Sequence, residues 1–257
     1  MSSVGSETSS SSVVNPTNVL VLSNILYPVF NQIGYDEISI DLRKTFFQLE
    51  EIYPGFSRNF LQLFLDRQYS TRLNLHQMTL QLEKYLDKST YYLSSSRREK
   101  DFHELNLSSK NLKQILSRIP DDIQEKRVFL ETIKEIASAI KRTLDSLTNI
   151  YQYLPSIDSR QALENEKKQF IKSSKYFSNT LKSYFAENKP DEVFIAANYL
   201  LIQTEYLLRT IKLHCEPETI DPYAYPLLSQ YEQQRRVRLS TTSNSRQSSA
   251  SSQANYS

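Results

Sequence analysis

From Asp101 to Leu213 the apolar positions recur every three or four residues, the spacing that keeps side chains on one face of an α-helix. Prolines divide this stretch into segments. Pro120, Pro155 and Pro190 predict helices over Asp101–Ser117, Asp121–Tyr153, Ser159–Ala186 and Asp191–Leu213. Asp121 and Asp122 follow one proline, and Asp191 and Glu192 another. The pattern therefore places acid at two helix N-termini, where the macrodipole favours it. In the second segment Ile133, Ile136, Ile140, Leu144 and Leu147 form one stripe. Phe170, Phe177, Leu181 and Tyr184 share a face in the third, and Phe194, Ala197, Leu201, Leu208 and Ile211 in the fourth. Four amphipathic helices with short connections predict an up-and-down antiparallel bundle in an all-α protein.

The first half has a different rhythm. Ile38, Leu42, Thr45, Leu49 and Ile52 alternate at four and three, a narrow seam like that of a coiled coil. The break YPGFS follows at Tyr53–Ser57. Beyond it Phe56, Phe60, Leu63 and Phe64 take one face of a shorter helix, with Leu61 and Leu65 on its flank. This is more apolar circumference than a small helical unit hides in itself, and it points to an oligomer. The alternative is that each of these side chains packs within its own chain, since exposed and buried stripes have the same period. SSSRREK at Ser94–Lys100 reads as a linker. The division expected is a disordered tail over 1–17, a helical dimerisation domain over 18–96, a four-helix bundle over 97–215 and a disordered Ser/Gln-rich tail over 216–257. Within that second tail RRVRLS sets arginines before Ser240, as a basophilic kinase site would, although a solubilising basic tail has the same composition.

Composition narrows the chemistry. Among 257 residues, 31 Lys and Arg balance 29 Asp and Glu, so electrostatic recognition has to be local and nucleic acid is not expected as a partner. Cys215 is the one cysteine, which rules out an intrachain disulfide and suits a reducing, cytosolic setting. No signal peptide, myristoylation signal or membrane-spanning run is expected. Glycine occurs at Gly5, Gly34 and Gly55 alone. Phosphate-cradling loops, dinucleotide fingerprints and nucleophile elbows need glycine where the backbone turns sharply or a ligand comes close, so those enzyme classes are excluded. His76, His103 and His214 lack ligand-spaced partners, and neither a metal site nor a cofactor is expected. No nucleophile–base arrangement marks an enzyme.

A second row runs beside the stripe of the second segment: Lys134, Ala137, Ser138 and Lys141, two lysines one heptad apart framing small side chains. The third segment repeats it with Lys175, Ser178 and Lys182, and Ile171 one turn earlier. At about 100° per residue both rows are displaced to the same rotational side of their apolar stripes. They then line one shared groove or lie on opposite sides of the helix pair, according to the hand of the bundle, which the pattern leaves open. A shared groove, floored by Ala137, Ser138 and Ser178 with Ile133, Ile140 and Ile171 as apolar edges, suits an acidic amphipathic helix. The same lysines also suit a peripheral membrane module that meets phosphoinositides.

The stretches LKQILSRIPDDI, VFLETIKEIASAIKRTLDSL, RQALENEKKQFIKSSKYFSNTLKSYF and VFIAANYLLIQTEYLLRTIK closely resemble the programmed cell death protein 10 family, the third group of cerebral cavernous malformation proteins. The likeness covers roughly Val19 to His214 and is more specific in the second half. It implies a non-enzymatic adaptor. The N-terminal domain of the family homodimerises or binds the tail of a germinal-centre class III Ste20-type kinase. Its second domain, a focal-adhesion-targeting homology bundle, receives leucine–aspartate (LD) helices of paxillin and of the second malformation protein, and contacts striatin. The implied setting is cytoplasmic, with peripheral Golgi and plasma-membrane association, linking kinase signalling to junctions, cytoskeleton, survival and tube formation. The family's groove residues fall on Ile133, Lys134, Ala137, Ile140, Lys141, Lys175, Ser178 and Lys182, and its dimer or kinase surface on Leu42, Thr45, Phe64 and Leu65. Thr45 and Phe64 stand where the family has alanine and isoleucine, which alters the local packing of that seam.

Overall fold

The computed structural model describes residues 16–33, 36–68, 73–86, 93 and 99–216, and among them every regular element is helical. Helix α1 (Pro16–Val21) passes through a π-helical turn (Leu22–Leu26) into α2 (Tyr27–Asn31), with helical backbone at both junctions. Of the expected tails, Pro16 and Thr17 already belong to α1 and Glu216 caps the last helix; the rest, with Ser240, lie outside the described residues.

Helices α3 (Asp36–Ile52) and α4 (Phe56–Gln68) are separated by the YPGFS break. Gly55 takes φ +95° there, a left-handed conformation that glycine adopts without penalty. The buried Glu50 carboxylate accepts hydrogen bonds from the backbone N–H groups of Gly55 (2.6 Å) and Ser57 (2.9 Å). One side chain thus satisfies donors that the start of α4 would otherwise leave unpaired. Phe46 gathers Phe30, Phe56 and Phe60 around it at centroid distances of 5.1, 5.7 and 5.3 Å, which holds α2, α3 and α4 together.

Four longer helices follow α5 (Leu75–Glu83): α6 (Lys100–Asp122), α7 (Lys126–Ile150), α8 (Ile157–Glu187) and α9 (Pro190–Cys215). Their inward stripes, including Leu112, Phe129, Ile136, Phe170, Phe177 and Leu201, form one core. A 3₁₀ turn (Tyr151–Tyr153) follows α7, and Ser156 opens α8 with a capping box closed by Ser159. With no glycine in this half, Asn188 supplies the left-handed residue that ends α8, at φ 55°.

The role expected of Pro120 is corrected. It does not end a helix but sits buried in the last turn of α6, and the break falls after Asp122. Near a C-terminus proline removes one intrahelical hydrogen bond without interrupting a following turn, so the usual interior cost is largely avoided. Asp121 and Asp122 therefore close a helix rather than open one. The nearby basic and hydroxyl groups offset that placement: Asp121 meets Lys84 and Gln81, and Asp122 accepts from Thr132 Oγ1 (2.6 Å) and Arg118 Nε (3.3 Å). Asp191 and Glu192 do lie in the first turn of α9.

The N-terminal helices are packed onto this unit. Helix α5 lies against α6 and α9, and α1 against α9, so Val19, Leu20 and Leu80 share the core of the four long helices. A buried ionic cluster crosses the junction: Lys113 Nζ lies 3.4 Å from Glu83 and 3.1 Å from Glu205, with the three side chains 2, 4 and 3% exposed respectively. Asn24, in the π turn, donates to the other oxygen of Glu83 (3.1 Å).

Candidate functional site

Helices α7 and α8 run antiparallel, and contacts at both ends fix their register. At one end Phe129 packs edge-on to Tyr184 (5.5 Å) and against Phe185 (6.2 Å). At the other the Tyr151 hydroxyl donates to Glu164, and Lys167 Nζ lies 5.5 Å over the Tyr151 ring. Burial, and then the hydrogen bond to the Glu164 carboxylate, push the Tyr151 phenol well above its ordinary range. Between these anchors Lys182 comes within about two residues of the level of Lys134, and Lys175 within about two of Lys141, roughly 3 Å along the axes.

The sides of each helix are fixed in the same way. Glu135 receives Arg118 of α6 (2.9 Å), and Thr132 donates to Asp122, so that flank of α7 faces α6. Ile133, Ile140 and Leu144 lie on the other flank, partly buried against the core, with Lys134, Ala137 and Lys141 exposed farther round on that side. On α8, Tyr176 turns to α9, meeting Tyr199 (5.8 Å) and Glu192 (3.2 Å). Lys167 and Phe185 turn to α7, and Ile171, Lys175, Ser178 and Lys182 occupy that same side at about 100° per residue. The two lysine rows thus lie on flanks turned toward each other, at matching levels, beside an apolar edge.

The electrostatics are those of accessible ammonium groups. Lys134 pairs with Glu131 one turn back (2.8 Å), with both side chains well exposed. A pair of that kind contributes about 0–1 kcal/mol, so an incoming carboxylate can exchange with it. Lys141, Lys175 and Lys182 are exposed and make no ion pair among the described residues. Ser178 spends its hydroxyl proton on the Ser174 carbonyl (3.0 Å), leaving a small floor residue. Ser138 is exposed on the outer face of α7, beyond the groove side.

The groove ends in a feature that the sequence pattern does not announce. Between the α6–α7 and α8–α9 turns lies a cleft of about 430 Å³ lined by Ile123, Lys126, Phe129, Tyr184, Phe185 and Asn188. Phe185, 44% exposed, is on its wall, and Leu130, 41% exposed, follows the lining residue Phe129 on α7 without itself lining the cleft. Exposure of two such side chains was the missing signal, and the helical period alone does not separate a rim residue from a core one.

The second candidate surface is split. Leu42 and Leu65 pack partly within the chain, on a core of Val21, Leu22, Leu26 and Leu61. Thr45 is exposed and Phe64 is 56% exposed, with Ile38, Ile52 and Leu63 uncovered around them. Among the described residues no group of His, Cys, Asp and Glu could hold a metal ion, and no helix is long and apolar enough to cross a membrane.

Residues 73–164 match the family described as Programmed cell death protein 10, C-terminal. A Programmed cell death protein 10 homolog of Caenorhabditis elegans is 34% identical over 162 residues, 63% of this chain and 74% of that protein. The chain belongs to the programmed cell death protein 10 family. This is a family of non-enzymatic adaptors, which implies protein partners. The family match ends at the start of α8, so the α7 lysines fall inside it and the α8 lysines beyond it.

Proposed function

We propose that the α7–α8 groove docks an acidic amphipathic helix of the LD type, as carried by paxillin and the second cerebral cavernous malformation protein. In this reading α6–α9 form an up-and-down bundle of the focal-adhesion-targeting homology type. Ile133, Ala137, Ile140 and Ser178 form the floor for the ligand's leucines, and Lys134, Lys141, Lys175 and Lys182 receive its carboxylates. The observation that carries the reading is the pairing of two lysine rows on facing flanks at matching levels. Small floor residues let a helix approach closely, and the ammonium groups steer and orient it. The exposed α3–α4 face around Thr45 and Phe64, with Leu42 and Leu65 behind it, is the complementary surface for a second copy or for the tail of a germinal-centre class III Ste20-type kinase. An adaptor with these two faces joins such a kinase to LD-motif proteins and to striatin.

The test is a binding titration of an LD-type peptide to the full chain carrying Lys134→Glu with Lys175→Glu. Affinity should fall by more than about tenfold, because like charges are brought together at both levels of the groove, while the melting temperature stays unchanged. Retained binding at moderate salt would rule out this groove. Ala137→Leu separates a helix from a phosphoinositide headgroup: it blocks close approach of the former and leaves the charges that attract the latter.

A further inference from the structure

We infer that the cleft at the Phe129–Tyr184 end of the groove is an anchor subsite for one large apolar side chain, leucine or phenylalanine, near the end of the docked acidic helix. The inference rests on the helix-docking reading above and extends it to a site with its own ligand chemistry. Three observations meet there. The cleft of about 430 Å³ is large enough for such a side chain and opens where α7 begins and α8 ends. Its lining sets the rings of Tyr184 and Phe185, packed on fully buried Phe129, beside Ile123 and Pro190, with Gln124, Lys126 and Asn188 as its polar part. Phe185 on its lining, and Leu130 next in sequence to Phe129, stay partly exposed, on the side of each helix that carries the lysine rows.

Charge and spacing specify the occupant. The rows present two levels of paired ammonium groups about seven residues apart, roughly 10 Å along a helix. They match carboxylates at a heptad interval on the ligand. The cleft lies about five to eight residues beyond Lys134 toward the start of α7, roughly 8–12 Å. The anchor therefore belongs about six residues past the carboxylate that meets Lys134 and Lys182. Lys126 at the mouth of the cleft favours an acidic neighbour for that anchor.

The experiment uses the full chain and three synthetic helical peptides. The core peptide carries two carboxylates seven apart over a leucine stripe. The other two add a phenylalanine six residues beyond one carboxylate, at the N-terminal or at the C-terminal end. At least one extended peptide should bind about tenfold more tightly than the core, the gain expected from burying one large apolar side chain. Phe185→Ala should remove that gain and Leu130→Ser, outside the lining, should reduce it, with the affinity for the core peptide unchanged in both. Leu130→Ser should keep the parent melting temperature, whereas Phe185→Ala also loses the ring contacts with Phe129 and Tyr184 and should lower it, so unchanged core-peptide affinity is the control that the groove is intact. An extension that adds nothing at either end, or a gain that survives both substitutions, overturns the anchor subsite and leaves the lysine groove standing. Absence of binding by all three peptides overturns both.

Discussion

Lys113 shows how a single residue can hold two parts of the chain together. It lies mid-helix in α6, yet its ammonium group is sealed between Glu83 of α5 and Glu205 of α9. Removing one member of a buried charge cluster costs more than the cluster contributes while intact. Lys113→Met is therefore expected to destabilise the chain by about 3–5 kcal/mol. Urea unfolding followed by far-ultraviolet dichroism would measure it, and a loss below about 1 kcal/mol would mean that the carboxylates find water or other partners. The sequence gives no hint of this role. Lys113 sits beside Leu112 and Leu116 in a helical pattern, where a lysine reads as solvated flank, and one partner is 92 positions away. The groove lysines are the opposite case. Their heptad spacing and small neighbours are visible in the sequence, but the flank they share is not, because it depends on which helices Glu135 and Tyr176 turn toward.

The break between α3 and α4 is the element on which the second candidate surface depends. Its glycine was legible, but the group that fixes its geometry was not: Glu50 reads as one more acid on an exposed face. In the folded chain that carboxylate takes the N–H groups of Gly55 and Ser57 and sets the angle between the two helices. Glu50→Ala should destabilise the N-terminal helices by about 1–3 kcal/mol, since both donors would be left buried without an acceptor. Hydrogen exchange should report the loss as faster exchange in α3 and α4, with α7 and α8 unchanged. Gly55→Ala has a different cause. An added Cβ would meet nothing nearer than Asn18 Nδ2 at 3.7 Å, so its cost is that of the left-handed backbone, about 1–2 kcal/mol. Pro120 shows how punctuation misleads. Proline in the sequence marks a boundary, but in a final helical turn it needs only the loss of one hydrogen bond, and the helix stops after Asp122.

At the scale of the whole molecule, the helices that precede the long ones close the α6–α9 face. The α7–α8 face carries the lysines. The closure includes polar contacts, most of them buried or partly buried. Asn198 of α9 donates to the His76 carbonyl (3.1 Å) and to Thr79 (3.0 Å), Asn74 reaches Asp191 (2.6 Å), and the Thr17 hydroxyl lies 2.6 Å from His76 Nδ1. His76 thus sits where α1, α5 and α9 meet. Burial there lowers its pKa below the ordinary 6.5, helped by the positive charge of Arg58 and opposed by Asp191 and Glu192. The folded chain therefore holds this imidazole neutral at a pH where the unfolded chain would already protonate it. Where the unfolded state binds more protons, stability rises with pH. The contribution of His76 is present above pH 6.5 and is lost as pH falls from there toward the depressed folded value, below which it no longer changes. Thermal melts of the full chain from pH 8 to pH 5 should show this as a decline that begins near pH 6.5 and is shallower in His76→Gln, which has no proton to gain. Parallel curves for the two proteins would mean that His76 is as well solvated in the folded chain as in the unfolded one, and that the joint between the N-terminal helices and α9 does not feel its charge.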